Sequence, residues 1–191
     1  RVEKEEKTLL RKGLCKFFIG CGGKELIDVV AAQALKGDVP HVGYYRNKAF
    51  DLYRGVTPKQ KLLEAVGDSR SESHGGMLQP GHSSYPKQAI LPQASPTGSH
   101  AMEAAGLGDA IKNPSPITGD GGFVGGRYKK DAIVNCAIGE GTTSSPEFGR
   151  AVFYATFGKT PNIFAIYNCG WAIATSVMEQ FPDGNPTSCY L

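Results

Sequence analysis

Residues 132–141 read AIVNCAIGEG, and residues 163–173 read IFAIYNCGWAI. Each stretch begins with an apolar run that is typical of a buried strand in a parallel sheet. Between them, Ser145-Pro146 predicts the start of a helix that reaches about Phe157. The order strand, helix, strand predicts a β-α-β unit. The predicted fold class is therefore α/β, a parallel β-sheet flanked by helices.

Further helices are predicted upstream of this unit. Residues 1–12 are charged and indicate a solvated helical lead-in. Thr57-Pro58 fits a helix start with proline at the first helical position, and residues 100–112 form an alanine-rich helical segment. Apolar residues also follow helical spacing on one face of residues 24–35: Leu26, Ile27, Val30 and Ala34.

The length of 191 residues suits one domain. We expect a single α/β domain over 1–191, with a helical lead-in over 1–36. Two stretches rich in glycine, serine and proline, 68–99 and 113–130, are expected to be mobile loops. The Gly-Asp-Gly-Gly turn at 119–122 falls in the second loop and is expected to be a flexible connection, because no strand leads into it.

Composition excludes several classes of function. The net charge of +3 is too small to predict nucleic acid binding. The most apolar stretch, 163–177, is interrupted by Asn168 and Gly170 and is too short to cross a membrane. Five cysteines without a C-x-x-C pair indicate neither a zinc site nor a disulfide framework, which favours a reducing compartment. No targeting segment is visible, and we expect the cytoplasm or the mitochondrial matrix.

Polar residues follow both strands of the predicted β-α-β unit. Glu140 comes directly after the first strand, and Asn168 and Cys169 come directly after the second. The carboxyl ends of parallel strands meet at one edge of a sheet, where ligands of α/β proteins bind. Carboxylate and amide oxygens suit Mg²⁺, and glycines at 139 and 141 would let a diphosphate approach the backbone. A surface loop with one solvated glutamate remains the alternative.

Four motifs resemble, in the same order, those of one family. Residues 139–141 followed by 168–173 (NCGWAI) are similar to a thiamine diphosphate motif that opens Gly-Asp/Glu-Gly and closes Asn-Asn-Gly-Tyr-Ala-Ile. Residues 43–47 (GYYRN), 75–82 (GGMLQPGH) and 95–100 (SPTGSH) are similar to three upstream segments of that family. The chain thus resembles the alpha subunit of the thiamine-diphosphate-dependent decarboxylating component of 2-oxo acid dehydrogenase complexes, of the branched-chain (2-oxoisovalerate) type.

The resemblance implies that residues 1–191 form a single, incomplete thiamine-diphosphate-binding α/β domain, and it implies a set of roles for residues of this chain. His82 would be catalytic, at the substrate end of the site. The residues that would bind thiamine diphosphate are Tyr45, Arg46, Ser95, Thr97, Gly139, Glu140 and Gly141. The residues that would hold Mg²⁺ are Glu140, Asn168, Cys169 and the carbonyl of Trp171. Arginine suits the diphosphate, because a guanidinium makes bidentate bonds to phosphate oxygens.

The resemblance also implies partners and a reaction. A beta subunit would complete a heterotetramer, and a lipoyl-bearing acyltransferase would accept the acyl group from a 2-oxo acid. The chain looks truncated against the family, so it would be inactive in isolation. Cys169 stands where the family has a metal-ligating asparagine, and a thiol is a poor ligand for Mg²⁺. A non-catalytic binding or assembly module and an acetoin dehydrogenase-like alpha subunit are the alternatives.

Overall fold

The computed structural model describes residues 1–114, 128–129 and 131–190. Most of the predicted loop 113–130, including its Gly-Asp-Gly-Gly turn, lies outside the described residues. The other predicted loop region, 68–99, contains turns, one short 3₁₀ helix and a two-residue strand, and it ends at the start of a helix.

The chain divides into two compact units, Arg1–Asp38 with Gly43–Gln93 and Val39–Val42 with Ala94–Leu191. Within the described ranges, no helix is long and apolar enough to cross a membrane. In chain order the elements are α1 (Val2–Arg11), α2 (Glu25–Ala34), β1 (His41–Val42), α3 (Lys48–Tyr53), α4 (Pro58–Ala65), a 3₁₀ helix (Pro86–Gln88), β2 (Ile90–Leu91), α5 (Ser99–Lys112), β3 (Val134–Gly139), a second 3₁₀ helix (Glu140–Ser144), α6 (Pro146–Gly158), β4 (Asn162–Tyr167), β5 (Trp171–Ala172), β6 (Thr175–Ser176) and α7 (Val177–Gln180).

Side-chain caps fix the starts of two helices as the sequence predicts. The Thr57 side chain accepts a hydrogen bond from the backbone N–H of Gln60, 3.2 Å away, at the start of α4. The Ser145 side chain accepts one from the N–H of Phe148, also at 3.2 Å, at the start of α6. Each cap satisfies one of the donors that a helix N-terminus leaves without an intrahelical partner.

Helix α2 forms where predicted, but it packs on a different face. Asp28 and Ala32 are its buried residues. The Asp28 carboxylate accepts hydrogen bonds from the Asn47 side chain at 2.8 Å and from the N–H of Phe50 at 3.4 Å, at the start of α3. These bonds orient the helix, because an unbonded buried carboxylate would be costly. The apolar face suggested by the spacing is therefore exposed: Leu26, Ile27 and Val30.

The strands of the second unit pair in parallel around β3. Val42 of β1 lies opposite Cys136, and β4 runs beside β3 with Gly139 opposite Tyr167. All six residues of β3 are buried, as expected for an interior strand of a parallel sheet. Helix α5 packs on β3 and on α6. The predicted β-α-β unit, formed by β3, α6 and β4, is confirmed, and so is the α/β class.

A network of buried charges joins α3 and α4 in the first unit. Lys61 Nζ lies 2.9 Å from Asp51 Oδ2 and 3.0 Å from Glu64 Oε2, and it donates to Ser83 Oγ. The three charged side chains are at most 7% exposed. Burial alone would lower the pKa of Lys61, but the two carboxylates raise it above its ordinary value. The ammonium group therefore stays charged in the folded chain.

We expect Lys61→Met to lower the free energy of unfolding by about 3–5 kcal/mol, because it leaves two adjacent carboxylates buried without a counter-charge. Lys59→Met is the matched control, since Lys59 is exposed on the same helix. The control is expected to change the free energy of unfolding by less than about 0.5 kcal/mol. Urea denaturation measures both values, and equal losses in the two variants would contradict the structural role of Lys61.

His100 is a buried titratable residue in the first turn of α5. It is 3% exposed, and its Nε2 lies 3.1 Å from the carbonyl oxygen of Ala137 in β3. Burial lowers the pKa of His100 below its ordinary value, although the bond to that carbonyl opposes the shift. The folded chain therefore favours the neutral imidazole.

The lowered pKa of His100 makes stability depend on pH. Below about pH 6.5 the unfolded chain binds a proton that the folded chain resists, so the free energy of unfolding falls as the pH falls. We expect His100→Gln to reduce this fall, because glutamine has no side chain that titrates in this range. Urea denaturation at pH 7.5 and pH 5.5 tests this, and the same pH dependence in wild type and His100→Gln would refute it.

Candidate functional site

The ends of β3 and β4 bring Glu140 and Cys169 together. Gly139 lies opposite Tyr167 in the parallel register, so the residues that follow both strands lie at the same edge. Glu140 opens the second 3₁₀ helix and is 2% exposed. Its Oε2 accepts a hydrogen bond from the N–H of Cys169 at 3.1 Å. The two sequence positions are 29 residues apart, and the topology alone makes them neighbours.

The second carboxylate oxygen of Glu140 has no hydrogen-bond partner. Oε1 is buried and lies within hydrogen-bond distance of no donor in the part of the chain that the structure describes. An unsatisfied buried carboxylate oxygen is costly unless a cation or water completes it. The carboxylate therefore fits a hard cation such as Mg²⁺. No group of three or more His, Cys, Asp or Glu side chains surrounds it among residues 1–114, 128–129 and 131–190.

The other predicted metal ligands have different surroundings. Asn168 Oδ1 accepts a hydrogen bond from the N–H of Gly170 at 2.9 Å. The Cys169 thiol is exposed and lies 3.4 Å from the Tyr167 carbonyl, to which it donates. Trp171 is 62% exposed and belongs to β5. Cys169 bonds to the Glu140 carboxylate through its backbone N–H, while its thiol, which stands in place of the expected amide oxygen, bonds to the Tyr167 carbonyl instead.

Gly141 has a packing role that the sequence does not predict. A Cβ atom at this position would lie 2.5 Å from the Cβ of Ala172 in β5. Such a distance is far inside van der Waals contact, so only glycine lets the β5–β6 hairpin approach the turn that carries Glu140. The space next to Gly141 is therefore occupied by Ala172 of the β5–β6 hairpin.

The turn that carries Ser95 and Thr97 lies against the start of α6. Both residues are exposed just before α5. Gly98 has a φ of +97°, and a Cβ there would lie 2.5 Å from the Ser145 hydroxyl and 3.5 Å from a Thr142 methyl group. Because Thr142 belongs to the 3₁₀ helix that begins at Glu140, the turn is held close to the end of β3.

In the first unit, three predicted residues form a second group. The Arg46 guanidinium lies over the Tyr45 ring, 5.4 Å from its centroid, and Nη1 donates to the Gly20 carbonyl. The His82 ring faces the same tyrosine: its centroid lies 6.2 Å from that of Tyr45, at an interplanar angle of 24°. His82 is 4% exposed, and its Nδ1 lies 3.1 Å from the Gln79 carbonyl.

Sequence reasoning misses the charged residue that holds this second group. The Glu64 carboxylate accepts a hydrogen bond from the N–H of Gly81, the residue before His82, at 2.8 Å. The available signal is a lysine and a glutamate three positions apart in α4, Lys61 and Glu64. That spacing is also common on solvated helix surfaces, so it does not by itself predict a buried ion pair.

Comparison with known proteins identifies the family. A profile described as "Dehydrogenase E1 component" matches residues 1–186. The 2-oxoisovalerate dehydrogenase subunit alpha of Bacillus subtilis is 28% identical over 181 residues, which cover 94% of this chain and 51% of the relative. The 2-oxoisovalerate dehydrogenase subunit alpha 1, mitochondrial, of Arabidopsis thaliana is 28% identical over 171 residues, 90% of this chain and 33% of the relative.

A third relative, the 3-methyl-2-oxobutanoate dehydrogenase subunit alpha of Mycobacterium tuberculosis, is 26% identical over 180 residues, 94% of this chain and 42% of the relative. The chain thus spans about a third to a half of the length of these curated relatives. The family profile nevertheless extends over nearly every residue, including both groups of site residues. The chain belongs to the dehydrogenase E1 component family.

Proposed function

We propose that this chain is an alpha-type part of an enzyme that oxidatively decarboxylates a 2-oxo acid with thiamine diphosphate and passes the acyl group to lipoamide. The observation that carries the proposal is the buried Glu140 carboxylate, which has one oxygen without a partner in the described structure and lies at the end of a parallel strand. Membership of the dehydrogenase E1 component family supports it.

Glu140 would hold Mg²⁺, with Asn168, position 169 and the carbonyl of Trp171 as the remaining candidates, and the cation would bind the diphosphate. Oxygen ligands suit this cation, which is why the thiol of Cys169 is the weakest member of the set. Ser95 and Thr97 would flank the aminopyrimidine, one through its hydroxyl and the other through its backbone.

Thiamine diphosphate would supply the carbanion that adds to the 2-oxo carbon and allows carbon dioxide to leave. Arg46 would bind the diphosphate through charge-assisted hydrogen bonds, with its guanidinium oriented by the Tyr45 ring. His82 would face the substrate. When its Nδ1–H donates to the Gln79 carbonyl, the lone pair of Nε2 is left to accept a proton or a hydrogen bond.

A branched-chain 2-oxo acid is the proposed substrate, because the relatives reported above act, by name, on 2-oxoisovalerate or 3-methyl-2-oxobutanoate. A beta subunit and a lipoyl-bearing acyltransferase are the proposed partners. The proposed compartment is the mitochondrial matrix or the bacterial cytoplasm, in line with relatives of both origins.

One observation favours a second candidate, a binding or assembly module that does not hold the cofactor. Position 169 is a cysteine, so its side chain has no oxygen to offer the Glu140 site. Its thiol donates to the Tyr167 carbonyl instead. A site with fewer oxygen ligands binds Mg²⁺ more weakly.

We expect Glu140→Gln to weaken binding of thiamine diphosphate with Mg²⁺ by at least about tenfold, because the cation loses its charged ligand. Glu147→Gln is the matched control, since Glu147 is exposed in the first turn of α6. Titration calorimetry of the chain, with and without a beta subunit, measures both affinities. No binding by the wild type in either setting would count against the proposed function.

Cys169→Asn separates the two candidate functions. If the chain holds the cofactor, restoring an amide oxygen is expected to tighten Mg²⁺-dependent binding by about tenfold. Cys189→Asn is the control for the substitution itself, because Cys189 is also exposed. Binding that appears only in Cys169→Asn would identify the natural chain as a module that has lost the cofactor, and unchanged affinity would remove position 169 from the ligand set.

A further inference from the structure

The Glu64 carboxylate accepts hydrogen bonds from several residues of the segment 81–85, which carries His82. It accepts hydrogen bonds from the N–H of Gly81 at 2.8 Å, from the Ser83 hydroxyl at 3.1 Å and from the Tyr85 hydroxyl at 2.9 Å. These donors occupy alternate positions along the segment. His82 is therefore fixed from both sides by one side chain that is itself 1% exposed.

The carboxylate is held in place in turn. Lys61 Nζ lies 3.0 Å from Glu64 Oε2 and 2.9 Å from Asp51 Oδ2. Burial alone would raise the pKa of Glu64, but Lys61 and the converging donors lower it below its ordinary value. An ionised carboxylate only accepts hydrogen bonds, so each donor around Glu64 must point toward it. Lys61 supplies the charge that keeps this arrangement ionised.

The segment is also pressed against Tyr45. Gly81 has a φ of +89°, and a Cβ there would lie 3.1 Å from the Tyr45 carbonyl oxygen and 3.2 Å from a methyl carbon of Ile19. This close approach sets the two rings face to face, with the His82 centroid 6.2 Å from that of Tyr45. The Nδ1 of His82 contacts the Gln79 carbonyl, and this contact restricts rotation of the imidazole ring.

We propose that Glu64, charged through its pairing with Lys61, is a positioning residue that holds the His82 imidazole in one orientation beside Tyr45. The inference rests on the proposed function for the meaning of that orientation, since His82 is there the residue that faces the substrate. Glu64 does not touch the reacting atoms; it acts through the Gly81 amide and the Ser83 hydroxyl. Catalysis depends steeply on such placement, because small displacements of a reacting group are costly.

Nuclear magnetic resonance of the intact chain tests the positioning directly. In the wild type, we expect the Gly81 amide to exchange slowly with solvent and the ¹⁵N signals of the His82 ring to show one tautomer. Glu64→Gln offers one acceptor oxygen where four donors converge, and Glu64→Asp keeps the charge for Lys61 while withdrawing the carboxylate from Gly81. Both variants are expected to speed exchange of the Gly81 amide by at least about tenfold and to mix the tautomers of His82.

Glu72→Gln is the matched control, because Glu72 is exposed and pairs with Gln60 instead. It is expected to leave the Gly81 and His82 signals unchanged. Glu64→Asp keeps the proposal testable if Glu64→Gln does not fold, since its carboxylate still compensates Lys61. Rapid exchange of Gly81 in the wild type, or wild-type His82 signals in Glu64→Asp, would overturn the proposal.

Kinetics of the chain assembled with a beta subunit separates this inference from the proposed function. Glu64→Asp is expected to lower kcat by about ten- to a hundredfold with KM for the 2-oxo acid changed less than about threefold, and His82→Asn to lower kcat at least as much. If Glu64→Asp alters the His82 signals while His82→Asn leaves kcat unchanged, the positioning stands and the role of His82 fails. If only His82→Asn lowers kcat, the role of His82 stands and the positioning fails.

Discussion

The parallel pairing of β3 with β4 is the constraint on which the candidate metal site depends. Its register sets Gly139 opposite Tyr167, and the next residues of both strands leave the sheet side by side. The Glu140 carboxylate is buried there against the backbone of Cys169. One oxygen is satisfied by that N–H and the other has no partner among the residues described, which is the observation behind the proposed cation site. A change of register would separate these groups.

The sequence predicts this part of the molecule because each signal is local. Apolar runs mark β3 and β4, the Ser145 cap marks the start of α6, and parallel topology then places Glu140 beside Cys169 without further information. The same holds for α4, whose start is encoded by Thr57 and the proline after it. Short-range periodicity and capping chemistry are sufficient wherever the partners lie within a few residues.

The sequence does not predict features whose partners are remote. The orientation of α2 follows from Asp28, which is bonded to Asn47 nineteen residues away, and this outweighs the apolar spacing on the opposite face. Nothing in the sequence distinguishes Glu64 from an ordinary charge on a helix surface, because its partner Gly81 lies seventeen residues later. Burying a charged side chain costs desolvation free energy that its partners must offset. Because those partners are remote in sequence, hydrophobic patterning does not predict which charged residues are buried.

Paramagnetic broadening by Mn²⁺, used in place of Mg²⁺ with thiamine diphosphate, measures the central claim most directly. Mn²⁺ takes the same oxygen ligands and broadens the signals of nearby nuclei. The account predicts selective broadening of the amide signals of Glu140 and Cys169, with loss of the effect in Glu140→Gln. Broadening confined to other acidic residues, or equal broadening in the wild type and Glu140→Gln, would contradict it.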